Sequence, residues 1–339
     1  MIYQSDPNIH NSIEPSENKT GILLINTGSP DEPTEESLRE YLGEFLSDPY
    51  VVQLPSWLWK PILNGIILRK RPQKSAQKYQ KIWTQDGSPL VAITHQQTEI
   101  IYQALQKETD TPFVIGCAMS YRKPSIPDQL NALREAGVQQ FLILPLFPQY
   151  SETTTGSIIQ AISEEIKQWE KPIPFKVIHS YHNHPGYIQA MAAHITQFWE
   201  VHSKPERILF SFHGIPESYA KAGDPYAQQC QETIELLVEA LGLKSGSWRI
   251  SYQSRFGPIH WLKPYTEQVL EEWGMEKISS ASVFCPGFST DCLESLYEID
   301  IEGRKVYKMA GGKGFQYIPA LNTNATYIRA LVEIMRDYL

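Results

Sequence analysis

Two short apolar stretches decide the fold class: GILLINT at residues 21–27 and RILFSFH at residues 207–213. Each is nearly continuous in apolar residues, which is typical of a parallel strand buried on both faces. Further candidate strands lie at residues 113–118, 141–147, 175–179, 249–253 and 277–284. Between them, amphipathic stretches repeat apolar side chains at the i, i+3, i+4, i+7 spacing of a helix. This alternation predicts an α/β protein with doubly wound, mostly parallel sheets.

The length of 339 residues suits two such lobes better than one large sheet. We predict the break near Tyr150, which gives a first α/β lobe at residues 20–150 and a second at residues 151–322. The final helix could pack on either half. Residues 1–19 are polar and predict a flexible N-terminal tail. We recognise no close internal sequence repeat, so the two halves are expected to be similar in architecture only.

Composition excludes several classes of function. The formal net charge is −8 and there is no long basic run, which argues against a nucleic-acid partner. No apolar stretch is long enough to cross a bilayer, and the N-terminus does not resemble a secretion signal. We therefore predict a cytoplasmic protein. The four cysteines form no C-x-x-C pair, so buried, reduced thiols are expected.

One segment departs from the α/β pattern. Residues 55–68 read PSWLWKPILNGIIL and are followed at once by Arg69, Lys70 and Arg71. A core helix with a solvated basic end would explain this pattern. An exposed apolar lip, at residues 57–68, over a pocket or against a membrane would explain it equally well.

Two candidate sites of chemistry follow predicted strands, where ligands bind in open α/β sheets. His213 ends an apolar strand and precedes Gly214, so its ring should project from the edge of the sheet. Asp291, Glu294 and Glu298 follow the strand at residues 277–284. If Asp291 caps a helix, Glu294 and Glu298 share one face at i, i+4. Taken alone, a structural histidine and a capping aspartate with solvated glutamates are the more frequent situations.

The wider set of motifs favours a functional site over these structural interpretations. The second half carries SFHGIPESYAKAGDPYAQQC (residues 211–230), SYQSRFGPIHWLKPYT (251–266), PGFSTDCLESLYEIDIE (286–302) and AGGKGFQYIPALN (310–322). The first half carries LLINTGSPDEP (23–33), YLGEFLSDPYVV (41–52), RKRPQKSAQKYQKIWTQDGSPL (69–90) and FPQYSETTTGS (147–157). Together these motifs resemble the ferrochelatase family over residues 21–322, in one order.

The resemblance implies both a fold and a reaction. Ferrochelatases are lyases that insert Fe²⁺ into protoporphyrin IX, or into coproporphyrin III in some bacteria, and release two protons. The family fold consists of two similar lobes, each with a four-stranded parallel sheet, and a porphyrin cleft between them. The C-terminal helix, here residues 323–339, packs back on the first lobe. Iron is then a substrate, and no cofactor and no iron–sulfur cluster are expected.

The resemblance also assigns roles. His213 and Glu294 match the pair thought to face each other across the macrocycle. Both are therefore expected metal ligands, and His213 is also the expected proton acceptor. Asp291 and Glu298 match acidic positions proposed to relay protons or ions to Glu294. The expected porphyrin-binding residues are Thr27, Lys70, Arg71, Ser88, Tyr121 and Trp261.

Three departures from the family pattern affect the substrate and the site. Thr27 stands where the coproporphyrin branch typically has Tyr, which favours protoporphyrin IX. Ser120 stands where many relatives have Arg, so that contact is either absent or supplied by Arg122. Cys292 replaces a His of some relatives and is either a spectator or a site for inhibitory soft metals.

Three alternative functions remain open from the sequence. They are insertion of iron into coproporphyrin III, insertion of a metal into another tetrapyrrole, and porphyrin or haem carriage without catalysis. A carrier would need the pocket but not the acid–base pair.

Overall fold

The computed structural model describes residues 9–11 and 19–339, which form two separate sheets. The first sheet has the order β1-β3-β2-β4-β5 and the second has the order β7-β6-β8-β9. The strands are β1 (Ile9–Asn11), β2 (Thr20–Gly28), β3 (Phe113–Tyr121), β4 (Gln140–Pro145), β5 (Phe175–Val177), β6 (Arg207–His213), β7 (Trp248–Gln253), β8 (Ser280–Phe284) and β9 (Gly314–Tyr317).

Helices connect most of the strands. The α-helices are α1 (Glu35–Ser47), α2 (Ser56–Ile62), α3 (Leu68–Tyr79), α4 (Pro89–Glu108), α5 (Ile126–Glu135), α6 (Ser157–Lys167), α7 (Pro185–His202), α8 (Glu217–Lys221), α9 (Tyr226–Ala240), α10 (Thr266–Met275), α11 (Arg304–Met309) and α12 (Ala325–Arg336). Three segments are π-helical: π1 (Leu63–Ile67), π2 (Glu152–Gly156) and π3 (Leu293–Gly303). Among the described residues, no helix is long and apolar enough to cross a membrane.

The first sheet has five strands, not the predicted four. Four of them are parallel, and β1 adds an antiparallel strand at the edge, with Ile9 opposite Gly116 of β3. Residues 9–11 were expected in a flexible tail, and that prediction is wrong for them because their backbone pairs with the open edge of β3. The remainder of the predicted tail, residues 1–8 and 12–18, lies outside the described residues.

The second sheet has the predicted four strands, and all of them are parallel. Strand β6 spans the residues predicted for it, and the buried side chains of residues 208–212 explain its continuous apolar character. Strand β9 was not predicted, because its sequence GFQY is short and has no clear apolar period.

Contacts divide the chain at a later point than predicted. The first unit comprises the described residues up to Phe147, with Ser151–Ser180 and Leu331–Leu339. The second unit comprises Pro148–Tyr150 and Tyr181–Ala330. The predicted break near Tyr150 is wrong because Ile158 and Ile162 of α6 lie in one core with Phe141, and β5 pairs with β4.

Helix α12 is shared by this division. Its residues up to Ala330 belong to the second unit, and those from Leu331 onward belong to the first. The prediction that residues 323–339 pack wholly on the first lobe is therefore wrong for the first half of the helix. Its apolar side chains are buried along its whole length, including Tyr327, Leu331 and Met335.

The two sheets repeat one topology. Without β1, the orders β3-β2-β4-β5 and β7-β6-β8-β9 are equivalent. The segments that follow β5 and β9 are also similar in sequence: IHSYHNHPGYIQA at residues 178–190 and IPALNTNATYIRA at residues 318–330. Both have Ile, Tyr-Ile and Ala at matching positions. The two sheets therefore repeat one architecture, and these segments share four scattered identities.

Candidate active site

His213 lies at the carboxyl end of β6, opposite Gln253 of β7, and its side chain is half-buried. The imidazole Nδ1 lies 2.7 Å from the carbonyl oxygen of Gly214. Because a carbonyl oxygen can only accept, Nδ1 carries the proton and donates it. In the neutral ring, Nε2 then holds the free lone pair. His213 is thus arranged to accept a proton at Nε2.

Gly214 allows close packing beside this histidine. Its backbone N–H donates to the carbonyl of Gln253 at 2.9 Å. A Cβ at this position would lie 3.0 Å from that same oxygen and 3.3 Å from the ring of Trp261. Trp261, predicted to bind porphyrin, is half-buried and is held by its indole N–H, which donates to the carbonyl of Phe256 at 2.8 Å. The structure therefore places Trp261 next to the turn that follows His213.

Glu294 lies in the first turn of π3. This helix was expected to be α-helical with Asp291 as its cap. The cap is instead Cys292, whose N–H donates to the hydroxyl of Ser295 at 3.0 Å. A π-helix has i→i+5 hydrogen bonds and occurs frequently at functional sites. Glu294 and Glu298 remain at i, i+4 and are both half-buried.

The carboxylate of Glu294 has the Cys292 thiol as a neighbour. Burial, together with this carboxylate, raises the pKa of Cys292 well above its ordinary value. The thiol therefore stays protonated at neutral pH and can donate to Glu294. A protonated, buried thiol is a poor metal ligand, because the thiolate is the binding form.

Asp291 is held by four donors. Its Oδ1 accepts from the Tyr317 hydroxyl, from Ser295 Oγ at 3.1 Å and from the Ala320 N–H at 3.2 Å. Its Oδ2 accepts from Asn322 Nδ2 at 2.7 Å. The carboxylate therefore accepts four hydrogen bonds from the protein, three at Oδ1 and one at Oδ2. This geometry favours an anchor between π3 and the loop after β9 over the predicted relay.

Glu298 lies on another side of π3. Its Oε2 accepts from Ser254 Oγ at 2.5 Å. Both residues line a cavity of about 390 Å³ beside α10 and α11, together with Arg255, Glu302 and Lys305. Asp291 and Glu298 therefore contact different partners, although the prediction placed them in one relay. Over residues 9–11 and 19–339, no three His, Cys, Asp or Glu side chains lie close enough to hold a metal ion.

The predicted porphyrin-binding residues of the first unit have varied environments. Thr27 lies near the end of β2 and is half-buried, Lys70 on α3 is exposed, and Arg71 beside it is half-buried. Ser88 caps α4 and is only 6% exposed. Tyr121 ends β3, and its hydroxyl donates to Asp48 Oδ2 at 2.8 Å. Lys70 and Arg71 are therefore the best placed of the set to reach an anionic ligand.

Arg122 does not supply the contact of the arginine that many relatives have at the position of Ser120. Its guanidinium forms ion pairs with Asp31, Glu40 and Glu44 of the same unit. Its backbone N–H also donates to Glu44, at 2.9 Å. Burial opposes the charge, but hydrogen bonds to Asp31 and Glu44 outweigh it and raise the pKa of Arg122. Both terminal nitrogens of the guanidinium thus donate to carboxylates inside the first unit.

Sequence reasoning missed the buried polar residues beneath the site. Ser211, Ser251, Gln253 and Thr266 lie under the ends of β6 and β7 and are linked by hydrogen bonds. The amide of Gln253 also donates to the backbone carbonyl of Glu294 at 2.7 Å. One sequence signal was present: small polar residues interrupt both strands at alternate positions, 211 and 213 in β6 and 251 and 253 in β7.

Comparison with known proteins identifies the family. The sequence model of the ferrochelatase family, described as "Ferrochelatase", matches residues 19–339. The chain belongs to the ferrochelatase family. It is therefore a lyase that inserts Fe²⁺ into a porphyrin.

Curated relatives support the assignment over nearly the whole chain. A ferrochelatase from Marinobacter nauticus is 46% identical over 95% of this chain and 87% of that protein. One from Nitrosomonas europaea is 44% identical over 95% of this chain and 88% of that protein. One from Alcanivorax borkumensis is 42% identical over 100% of this chain and 98% of that protein.

Solved structures support the fold alone. SirB from Bacillus subtilis with Fe³⁺ is similar with a TM-score of 0.55 at 11% identity, over 94% of this chain and 95% of that chain. The sirohydrochlorin chelatase SirB from Bacillus subtilis subspecies spizizenii, in complex with cobalt, gives a TM-score of 0.53 at 12% identity, over 94% of both chains. The predicted α/β fold with mostly parallel sheets is confirmed.

Proposed function

We propose that this enzyme inserts Fe²⁺ into protoporphyrin IX, with His213 as the acceptor of the pyrrole protons and Glu294 on the side of the metal. The observation that carries the proposal is the hydrogen bond from His213 Nδ1 to the Gly214 carbonyl, which leaves Nε2 as the basic atom. A neutral imidazole with a lone pair on Nε2 can act as a general base, so it can take a proton and pass it to solvent in each turnover. The carboxylate of Glu294 is an acceptable ligand for Fe²⁺ while the ion loses its water.

Proton release tests this proposal directly. Anaerobic insertion of Fe²⁺ into protoporphyrin IX, followed in a pH-stat and by absorbance, should release two protons for each metal inserted. Zn²⁺ serves as an oxygen-insensitive proxy. Porphyrin binding without insertion would indicate a carrier and would contradict the proposal.

Thr27 supports protoporphyrin IX as the substrate. In the coproporphyrin branch a Tyr at this position could reach the metal, whereas Thr27 is short and its N–H is bonded to Asn26 Oδ1 at 2.9 Å. We expect kcat/KM to be higher for protoporphyrin IX than for coproporphyrin III when the two are measured side by side. The opposite order would assign the enzyme to the coproporphyrin pathway.

Porphyrin binding is proposed to use Lys70 and Arg71 for the propionates and Trp261 for the ring. Cations at exposed or half-buried positions suit carboxylates, and arginine can bind one in a bidentate manner. Lys70→Ala and Arg71→Ala should raise the KM for porphyrin more than they lower kcat. A fall in kcat at constant KM would remove these residues from the binding site.

A peripheral membrane contact is proposed for the apolar lip, defined as residues 57–68. Trp57 is 78% exposed and Ile66 is 55% exposed, which is unusual for such large apolar side chains. Arg69, Lys70 and Arg71 follow directly and would complement anionic lipid. Trp57→Ser and Ile66→Ser should reduce cosedimentation with vesicles containing phosphatidylglycerol. Equal sedimentation of wild type and variants would refute the contact.

Cytoplasmic location and the absence of an iron–sulfur cluster stay predictions. The four cysteines are all buried, and none of them forms a disulfide. Iron and acid-labile sulfide analysis of the purified protein is expected to find no cluster. A stoichiometric amount of sulfide would contradict this expectation.

A further inference from the structure

Gln253 forms hydrogen bonds beside both members of the proposed catalytic pair, His213 and Glu294. It is the last residue of β7, it lies opposite His213, and it is only 6% exposed. Its backbone carbonyl accepts the N–H of Gly214 at 2.9 Å. Its side-chain Nε2 donates to the carbonyl of Glu294 at 2.7 Å. One residue therefore joins the turn after His213 to the first turn of π3.

The chemistry of the partners fixes the orientation of this amide. The Glu294 carbonyl can only accept, so the NH₂ group of Gln253 must face it and Oε1 must point away. Oε1 then accepts from Ser211 Oγ at 2.6 Å. A flipped amide would place two oxygens against each other at π3.

A directed chain of hydroxyls supports that orientation. Ser211 gives its single proton to Gln253, so the hydroxyl of Thr266, 2.7 Å from Ser211 Oγ, must donate to Ser211. Ser251 Oγ, 2.9 Å from Thr266 Oγ1, must then donate to Thr266. Both serines are fully buried. Hydrogen bonds that polarise one another in this way hold a buried group in one conformation.

We propose that Gln253 is a positioning residue, which fixes Glu294 relative to His213, and that Ser211 orients its amide. This inference rests on the proposed function of the His213 and Glu294 pair. A buried amide that bonds the backbone of Glu294 prevents the first turn of π3 from shifting along the sheet edge. Displacements of about 1 Å can lower catalysis by about 10²-fold, so such an anchor affects turnover without touching substrate.

Gln253→Met tests the anchor. Methionine has a similar length but neither donates nor accepts strongly, so the bond to Glu294 is lost. We expect kcat for metal insertion to fall by roughly 10- to 100-fold, as for other groups that orient a reacting side chain. The Kd for porphyrin, from quenching of protein fluorescence, should change less than about 3-fold, since no proposed porphyrin contact is altered. Unchanged kcat, or a parallel loss of porphyrin binding, would overturn the proposal.

Ser211→Ala and Ser251→Ala form a matched pair that does not depend on the folding of the methionine variant. The two serines lie opposite each other on β6 and β7, are equally buried, and both bond Thr266. Of the two serines, only Ser211 donates to Gln253, whose Oε1 also accepts from the Cys285 thiol at 3.7 Å. We expect kcat to fall several-fold in Ser211→Ala and to stay near wild type in Ser251→Ala, with similar melting temperatures. Equal effects on kcat would show a merely structural role.

The double variant Ser211→Ala/Gln253→Met completes the test. If Ser211 acts through Gln253, adding Ser211→Ala should lower kcat no further than Gln253→Met alone. Additive losses would contradict the mechanism. Wild type and His213→Ala are measured in the same assay: failure of wild type to insert metal would refute the proposed function. An active wild type with equal serine variants would refute the positioning role alone.

Discussion

The two units are built on one plan but end their strands with different chemistry. In the first, β2 ends in Thr27 and Gly28; in the second, β6 ends in His213 and is followed by Gly214. Glycine suits both positions because a backbone carbonyl at the end of a neighbouring strand lies close to where a Cβ would be. A Cβ on Gly28 would lie 2.1 Å from the Tyr121 carbonyl, and one on Gly214 would lie 3.0 Å from that of Gln253. The same frame therefore presents a hydroxyl in one unit and an imidazole in the other.

The π-helices extend the comparison. Helix π2 follows β4 and is capped by Ser151; helix π3 follows β8 and is capped by Cys292. Two residues after the cap, the first unit has Thr153 and the second has Glu294. The fold therefore supplies two equivalent strand ends, and at the compared positions only the second unit carries an imidazole and a carboxylate.

Removal of the His213 imidazole should have the largest effect on kcat. His213→Ala is expected to lower kcat by about 10³-fold, within the range of about 10²–10⁴ for loss of a general base. Thr27→Ala, at the equivalent strand end, should cost less than about 10-fold, because a hydroxyl there accepts no pyrrole proton. The measurement is steady-state insertion of Zn²⁺ or Fe²⁺.

Two controls accompany this prediction. Porphyrin should still quench protein fluorescence in His213→Ala, and His202→Ala, at the end of α7, should turn over normally. Near-normal turnover of His213→Ala would reject the proposed base.

Replacement of the carboxylate is expected to have the next largest effect. Glu294→Gln keeps the shape but not the charge, so kcat should fall by about 10²-fold and the KM for the metal should rise. Thr153→Val, two residues after the cap of π2, should change both parameters by less than about 3-fold. Similar losses in the two variants would show that both strand-end sites contribute to catalysis.

The anchors of the two π-helices should differ in their effect on stability. Asp291→Ala leaves four donors without their carboxylate, including the buried Tyr317 hydroxyl, and should destabilise the second unit by about 3 kcal/mol. Ser151→Ala removes one acceptor, from the N–H of Thr153, and should cost about 1 kcal/mol. Urea unfolding, followed by circular dichroism, measures both shifts. A smaller shift for Asp291→Ala than for Ser151→Ala would reject the anchoring role.

The parts of the fold that depend on local pattern could be predicted. Strand β6 spans its expected residues, because a continuous apolar run indicates burial directly. Strands β1 and β9 could not, since three or four residues with polar members form strands only when a neighbouring edge is available. The π-helices were missed for a related reason: the i→i+5 pattern has no distinct apolar period in so few turns.

The candidate site, like the fold, has parts that could be predicted from the sequence and parts that could not. His213 and Glu294 could be placed from sequence because each follows a strand within a long family motif. The four donors to Asp291 come from Ser295, Tyr317, Ala320 and Asn322, and the last three lie in or just after β9, a strand that the pattern did not reveal. The role of Gln253 depends on hydrogen bonds to residues 41 and 42 positions away, which only the folded chain brings together.

The smallest expected effect is on the pH dependence of stability, and it concerns the similar segments that follow β5 and β9. Four residues beyond these segments, His194 on α7 matches Ile334 on α12, so only α7 has a titratable imidazole at this position. Burial lowers the pKa of His194 below its ordinary value of 6.5, against the opposing effect of its hydrogen bond to the Pro319 carbonyl. The unfolded chain therefore binds a proton more readily than the folded one. It follows that stability is present above pH 6.5 and is lost as the pH falls below that value.

His194→Gln can keep a donor to the Pro319 carbonyl but cannot titrate. Urea midpoints of wild type and variant, measured from pH 8 to pH 5, should converge or cross as the pH falls, because wild type alone loses this contribution. His202→Gln, on the exposed end of the same helix, controls for the general effect of removing a histidine. Parallel curves for wild type and His194→Gln would show that burial of this imidazole has no consequence for stability, and helices α7 and α12 would then respond to pH alike.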